Sequence, residues 1–350
     1  MTVDLTNKHL VQNISALLEN ARNKVVVAVN QTIVLTYYEI GRMIVEDEQK
    51  GENRAEYGKA VLKDLSFHLS ERFGKGFSVE NLDRMRFFYK TYSKQISSTL
   101  LTDSQNQISQ TPSAEFNLSW SHYLKLMRIK DSNERKFYEI ESYKNNWSLR
   151  ELQRQYDSAL YARLSLSKNK EEILQLAEKG QIIEKPKDLI KDPYVLEFLG
   201  LSEKSTYSEG DLESQLIDKL EHFLLELGNG FTFVGRQQRI TFEEKHFYID
   251  LVFYNRILKC FVLIDLKIGE LKHQDIGQMQ MYVNYFDREK RLEGENKTIG
   301  IILCQDKSEA LVQYTLPEDN EQIFASKYFT VLPSKQDFIN ILNSDNGKTS

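Results

Sequence analysis

The feature that most limits how this chain can fold lies in its last third. Three strand-type runs follow one another with hardly a break: FTFVGRQQRITF (231–242), KHFYIDLVFYN (245–255) and KCFVLIDLK (259–267). The first two alternate apolar and polar residues, as half-exposed strands do. VLIDL and the later TIGIILC (298–304) are continuous apolar runs, the pattern of strands covered on both faces. A helical pattern over Asp211–Leu227, stopped by Gly228, precedes them, and a second over His273–Glu289 separates the third strand from TIGIILC. A helix-like piece (SEALVQYTL) and a short strand near Tyr328–Leu332 follow. The order α-β-β-β-α-β predicts a central mixed sheet flanked by helices.

The first part of the chain is of another kind. Residues 1–92 contain no proline, and Val25, Val26, Val29, Ile33, Val34, Tyr37, Ile40 and Ile44 form an apolar stripe at helical spacing. A second helix is expected over Gly58–Phe73. A third follows the turn Phe73-Gly74-Lys75-Gly76, with Ser78 as N-cap and Glu80 in the first turn. Two helices across a glycine turn give a helix-turn-helix-like pattern. Residues 93–117, rich in Ser, Thr and Gln, read as a polar loop. Helices then resume, and Ser148 with Glu151 forms a capping box before LRELQRQYDSALYARL. The expected organisation is α+β overall: an all-α domain over 1–165, a connector over 166–204 punctuated by Pro186 and Pro193, a sheet domain over 205–340 and a polar tail over 341–350.

A net charge of −5 argues against a nucleic-acid partner until it is divided. Residues 1–150 hold 21 basic and 18 acidic residues, a net of +3, and residues 151–350 hold 25 and 33, a net of −8. Two cysteines, Cys260 and Cys304, in apolar runs exclude a disulfide framework and a zinc knuckle, and the six histidines lack HExxH spacing. The N-terminus has no signal architecture, and no run reaches the ~18–20 apolar residues of a membrane span. A cytoplasmic protein with no membrane partner is expected.

Asp250 interrupts the apolar run YIDLVFY, and Asp265 and Lys267 share one face at the end of the next strand. Such charges are costly to bury unpaired. One reading is a buried Lys–Asp pair that fixes strand register. The other is an oxygen-donor site for Mg²⁺ or Mn²⁺ with an ammonium beside it. Glu213, on the apolar face of the preceding helix with Ile217, Leu220 and Leu224, and Gln278 with Tyr282 at i,i+4 on the following helix favour the second reading.

The combination Glu213, Asp250, Asp265-Leu266-Lys267 and Gln278-xxx-Tyr282 resembles the PD-(D/E)XK nuclease superfamily, with Ile249 in place of the eponymous proline. The phrases GFSVENLDRMRFFY (76–89), LSWSHY (118–123), WSLRELQRQ (147–155), GFTFVGRQQR (230–239), FYIDLVFY (247–254), IDLKIGELK (264–272) and GQMQMYVNYF (277–286) resemble, more narrowly, the bacterial YhcG or DUF1016 family. The resemblance implies a helical N-terminal domain of winged-helix or helix-turn-helix character ahead of the nuclease domain. It implies Asp250, Asp265 and the Leu266 carbonyl as metal ligands, and Glu213 as a ligand directly or through water. Lys267 would position the attacking water, and Gln278 and Tyr282 would hold the water network or a phosphate. Arg236, Arg239 and Lys272 are candidate phosphate contacts. Arg84, Arg86 and Lys90, interleaved with aromatic residues, are candidate DNA contacts on a helix that could serve a homodimer instead. The expected function is a Mg²⁺- or Mn²⁺-dependent DNA endonuclease. The alternatives are a non-catalytic DNA-binding or assembly accessory of a restriction or mobile-element system, and a nuclease acting on RNA.

Overall fold

A computed structural model of the chain describes residues 3–50, 54–102, 116–165, 169–201 and 207–346. It divides into two compact units, Met1–Gln153 and Arg154–Ser350.

In the first unit α1 (Val3–Lys50), α2 (Arg54–Phe73), α3 (Val79–Thr102), α4 (Trp120–Leu126) and α5 (Ser132–Lys144) follow in turn, with no strand among the described residues. The glycine turn joins α2 to α3 as expected, with Gly74 at φ +81° and Gly76 at φ +131°, values that favour glycine. Ser78 Oγ accepts from the Asn81 amide at the start of α3. Leu82, Met85, Phe88 and Tyr92 of α3 are buried, and with Tyr38, Phe116, Trp120 and Tyr123 they make an aromatic core. Gly41 sits where α1 crosses α3: a Cβ there would lie 2.1 Å from the Met85 carbonyl oxygen. The apolar stripe of α1 is only half used. Val34, Tyr38, Ile44 and Val45 are buried, whereas Val25, Val26, Val29 and Ile33 are exposed. Helix α3 runs on to Thr102, into the stretch expected to be a loop from residue 93, because that stretch holds no glycine or proline before it. Residues 103–115 lie outside the described residues.

After α6 (Leu149–Asp157), the second unit contains α7 (Leu160–Ser165), α8 (Lys170–Lys179), β1 (Tyr194–Val195), α9 (Glu209–Asp218), α10 (Leu220–Leu227), β2 (Phe231–Phe242), β3 (Lys245–Asn255), β4 (Cys260–Glu270), α11 (His273–Glu289), β5 (Ile299–Asp306), α12 (Glu309–Thr315), β6 (Ile323–Phe329) and α13 (Lys335–Asn346). The sheet has six strands in the order β1-β6-β5-β4-β3-β2. It is antiparallel from β2 to β4 and parallel from β4 through β5 and β6 to β1, the mixed sheet expected. One face packs Leu251, Phe253, Val262, Ile264, Ile301 and Leu303 against α9 and α10. The other packs Val252, Leu263, Ile302 and Cys304 against α11. Gly300 brings α11 onto β5, since a Cβ there would meet Met279 Sδ at 2.5 Å.

Three elements depart from the sequence reading. The single helix expected over 211–227 breaks at Lys219, whose ammonium donates to the carbonyls of Phe198 (2.6 Å) and Leu199 (3.1 Å). The last strand lies at Ile323–Phe329, a few residues before Tyr328–Leu332. The expected polar tail is helical as far as Asn346, because Phe338 and Leu342 are buried with Ala159 and Val195. Glu226, on α10, is fully buried. It accepts from Arg163 (2.6 Å), Arg154 (3.3 Å) and the Val195 amide (3.0 Å), tying α6 and α7 to the sheet domain. Among the described residues no helix is long and apolar enough to cross a membrane.

Candidate active site

The site forms where β3 parts from β4. The two strands pair from Asn255–Cys260 to Leu251–Ile264, and there the ladder stops. The amide of Leu266, which needs an acceptor, donates to Asp250 Oδ2 at 2.7 Å, so a side chain takes the place of the strand. The face alternation of β3 breaks here too: Ile249 and Val252 both pack on the α11 side, Leu251 and Phe253 on the other. Across from Asp250, between the pairs Arg236–Leu251 and Gln238–Ile249 of β2 and β3, stands Gln237. Its φ of +46° is unusual for a residue with a side chain. Its amide nitrogen donates to Asp250 Oδ1 (3.0 Å) and to Glu213 Oε2 (2.5 Å). Thus Glu213 from α9, Gln237 from β2 and Asp250 from β3 meet.

Asp265 and Lys267 project from β4, with the Lys267 ammonium 2.8 Å from Asp265 Oδ2. Asp265 is buried, and Oδ2 finds no well-aligned hydrogen bond among the described residues. Burial, and next the charge of Asp250, push its carboxyl up to about 7 against the pull of Lys267. Burial likewise raises Glu213, with Asp250 adding to it and Gln237 opposing. Lys267 is held above the ordinary ammonium range: burial works against the charge, but Asp265, then Glu209 at 3.9 Å, more than offset it. Three carboxylates therefore crowd an end of the sheet with one ammonium among them.

Gln278 and Tyr282 on α11 form a chain that ends on β3. Gln278 Nε2 donates to the Tyr282 hydroxyl, which donates to the Tyr248 carbonyl at 2.8 Å, two residues before Asp250. Tyr282 is buried, and burial pushes its hydroxyl up to about 12. Arg236 and Arg239 are exposed on β2, and Lys272 is exposed at the N-cap of α11. Arg239 and Lys272 have no ion-pair partner among the described residues, and Arg236 lies near enough to Glu213 to lower its pKa. The candidate cations of α3 differ. Arg84 pairs with Glu80, Arg86 with Glu48 (2.6 Å) and with Asp83, and Lys90 approaches Glu48 (3.7 Å). Sequence reasoning missed Gln237 and Glu209. The only trace of Gln237 is a polar GRQQR segment opposite an interrupted apolar strand.

The donors suit a hard cation: carboxylate oxygens, with buried Asp265 beside Asp250. Among the described residues no group of three or more His, Cys, Asp or Glu side chains stands close enough to hold a metal by itself.

Helices on both faces of a mixed sheet, an aspartate where two central strands part and a DxK segment on the second strand define a PD-(D/E)XK nuclease domain. Residues 187–342 match the family described as the YhcG PDDEXK nuclease domain, and residues 13–163 match the DUF1016 N-terminal domain. The chain is 40% identical over 336 residues to "Putative nuclease YhcG" of Escherichia coli (strain K12), spanning 91% of this chain and 89% of that protein. It belongs to the YhcG (DUF1016) family. Solved structures with partial likeness include a repair endonuclease from Pyrococcus abyssi (TM-score 0.26, 18% identity, 36% of this chain and 49% of that one). Another is titled "Structure of EndoMS-dsDNA2 complex" (TM-score 0.26, 15% identity, 36% and 48%).

Proposed function

We propose that the chain is a cytoplasmic, metal-dependent DNA endonuclease that hydrolyses phosphodiester bonds at Asp250, Asp265 and Lys267. The observation that carries this reading is the convergence of Glu213, Asp250 and buried Asp265 on Gln237, the Leu266 amide and the Lys267 ammonium, carboxylates in excess of the cations beside them. Asp250, Asp265 and the Leu266 carbonyl would hold Mg²⁺ or Mn²⁺, with Glu213 joining directly or through water. When bound, the ion activates the attacking water and neutralises charge on the phosphate. Lys267, whose ammonium lies 2.8 Å from Asp265 Oδ2, would position the attacking water. Gln237 keeps Glu213 and Asp250 together before the ion arrives. Tyr282 and Gln278 fix the strand that carries Asp250, so their role is positioning. Arg236, Arg239 and Lys272 contact the DNA backbone.

Calorimetric titration with Mn²⁺ tests the ligand set: binding by wild type that Asp250→Ala removes supports it. No binding, together with no cleavage of plasmid, single-stranded or branched DNA, rejects it. A second reading, a non-catalytic DNA-binding accessory of a restriction or mobile-element system, takes the Lys267–Asp265 pair at 2.8 Å as a structural ion pair. That reading requires DNA retention without cleavage in the same experiment. Cleavage of RNA in preference to DNA would reassign the substrate and leave the site intact.

A further inference from the structure

Long before α1 reaches the core of its unit at Val34, it leaves a run of apolar side chains exposed. Leu10 is 55% exposed, Val11 61%, Leu18 56% and Val25 62%. The segment from 10 to 29 is about 30 Å long at helical rise. Its apolar residues fall on a seven-residue repeat. Val11, Leu18 and Val25 recur every seventh position, and Ile14, Ala21 and Ala28 follow each by three. This is the a and d pattern of paired helices, with Leu10 and Leu17 widening the seam. Asn13 and Glu19 hold opposite positions of the first two repeats, and Val26 and Val27 take those positions in the third.

We propose that residues 10–29 of α1 pair with the same segment of a second copy of this chain, making the protein a dimer through that helix. Three observations choose this occupant. The first is the repeat, which is self-complementary, and whose alanines at d let two helices approach closely. The second is charge. Glu19, Arg22 and Lys24 are the only charged residues from 10 to 29, a net of +1. That is too little to draw a phosphate backbone or an anionic lipid surface, and too little to repel a second copy. The third is area: Leu10, Val11, Ile14, Leu17, Leu18 and Val25, 48% to 69% exposed, offer roughly 600 Å² per copy, at the lower limit of a stable interface. The pairing involves none of the residues assigned to phosphodiester hydrolysis, so it stands or falls independently of that reading.

The test is the mass of the full-length chain in solution, by light scattering on a sizing column and by sedimentation. Wild type at ~10 μM is expected at twice 41.0 kDa. Leu18→Glu with Val25→Glu, and separately Ala21→Arg, are expected at 41.0 kDa with unchanged far-UV circular dichroism, their dissociation constants raised at least ~100-fold. Because these side chains are exposed, the charges enter water and not a core. A wild-type mass of 41.0 kDa, or a dimer that every variant retains, overturns the proposal. So does a wild-type monomer held by anionic vesicles and released by the same substitutions, which would give the face to a lipid surface.

Discussion

Asp265 is the residue at which folding and chemistry pull apart. Its carboxyl, pushed to about 7 by burial and by Asp250, binds a proton in the metal-free folded chain at pH values where an unfolded aspartate, near ~4, has lost it. The folded state then holds more protons than the unfolded one between pH ~4 and ~7, so stability falls as pH rises through that window. Without metal, Asp265→Asn is therefore expected to raise the melting temperature at pH 8 by a few degrees, and to change it little at pH 4. Thermal scans in EDTA decide this, and a lower melting temperature for the variant at pH 8 contradicts it. Gln237 carries a second residue-scale expectation. Gln237→Ala removes the amide between Glu213 and Asp250 and should lower metal affinity by ~10–100-fold, read by Mn²⁺ titration. The two aspartates and the lysine were legible in the sequence, because a charge inside an apolar strand announces itself. Gln237 was not, since its role comes from a positive φ and a cross-strand position that no residue type encodes.

At the scale of elements, α11 is bonded to β3 through Tyr282, whose hydroxyl donates to the Tyr248 carbonyl. Tyr282→Phe loses the bond to the Tyr248 carbonyl and should cost ~1 kcal/mol of stability. If its role is positioning, cleavage should slow by ~10-fold or more while the apparent pKa values of the pH–rate profile stay in place. A hydroxyl that touched the phosphate would instead weaken DNA binding, which a gel-shift titration separates. Helix α10 makes a different case. Glu226 is fully buried, yet Arg163, Lys191 and Arg154 together outweigh that burial and hold its carboxyl down at about 2. The stability it contributes is present above pH ~4.5 and is lost as pH falls towards ~2. Arg163→Met leaves this carboxylate short of its closest partner and is expected to cost ~3–5 kcal/mol in urea unfolding at pH 7. Sequence periodicity located β2, β3, β4, α11 and β5 to within a few residues, because alternation and continuous apolar runs are local signals. It missed the break at Lys219, the true β6 and α13, each of which depends on what a distant segment supplies: the Phe198 carbonyl, the edge of β5, the pocket at Ala159 and Val195.

For the whole molecule, the net charge of −5 divides into a slightly basic helical half and an acidic half that carries the candidate cation site. The cations of α3 are already satisfied by Glu80, Asp83 and Glu48, while Arg236, Arg239 and Lys272 are exposed, Arg236 beside Glu213. DNA affinity should therefore be modest and set by these few groups, with log K falling against log salt at a slope of about −2 to −3. Arg239→Ala should reduce that slope by ~1, whereas Arg84→Ala should leave it unchanged. The most direct test of the central claim is the cleavage rate of plasmid DNA in Mg²⁺ or Mn²⁺ by wild type, Asp265→Asn and Lys267→Ala, each confirmed folded. The site described here predicts cleavage by wild type that EDTA abolishes and that each substitution lowers by at least ~100-fold. Equal rates in all three proteins, or wild-type cleavage that persists in EDTA, would contradict it.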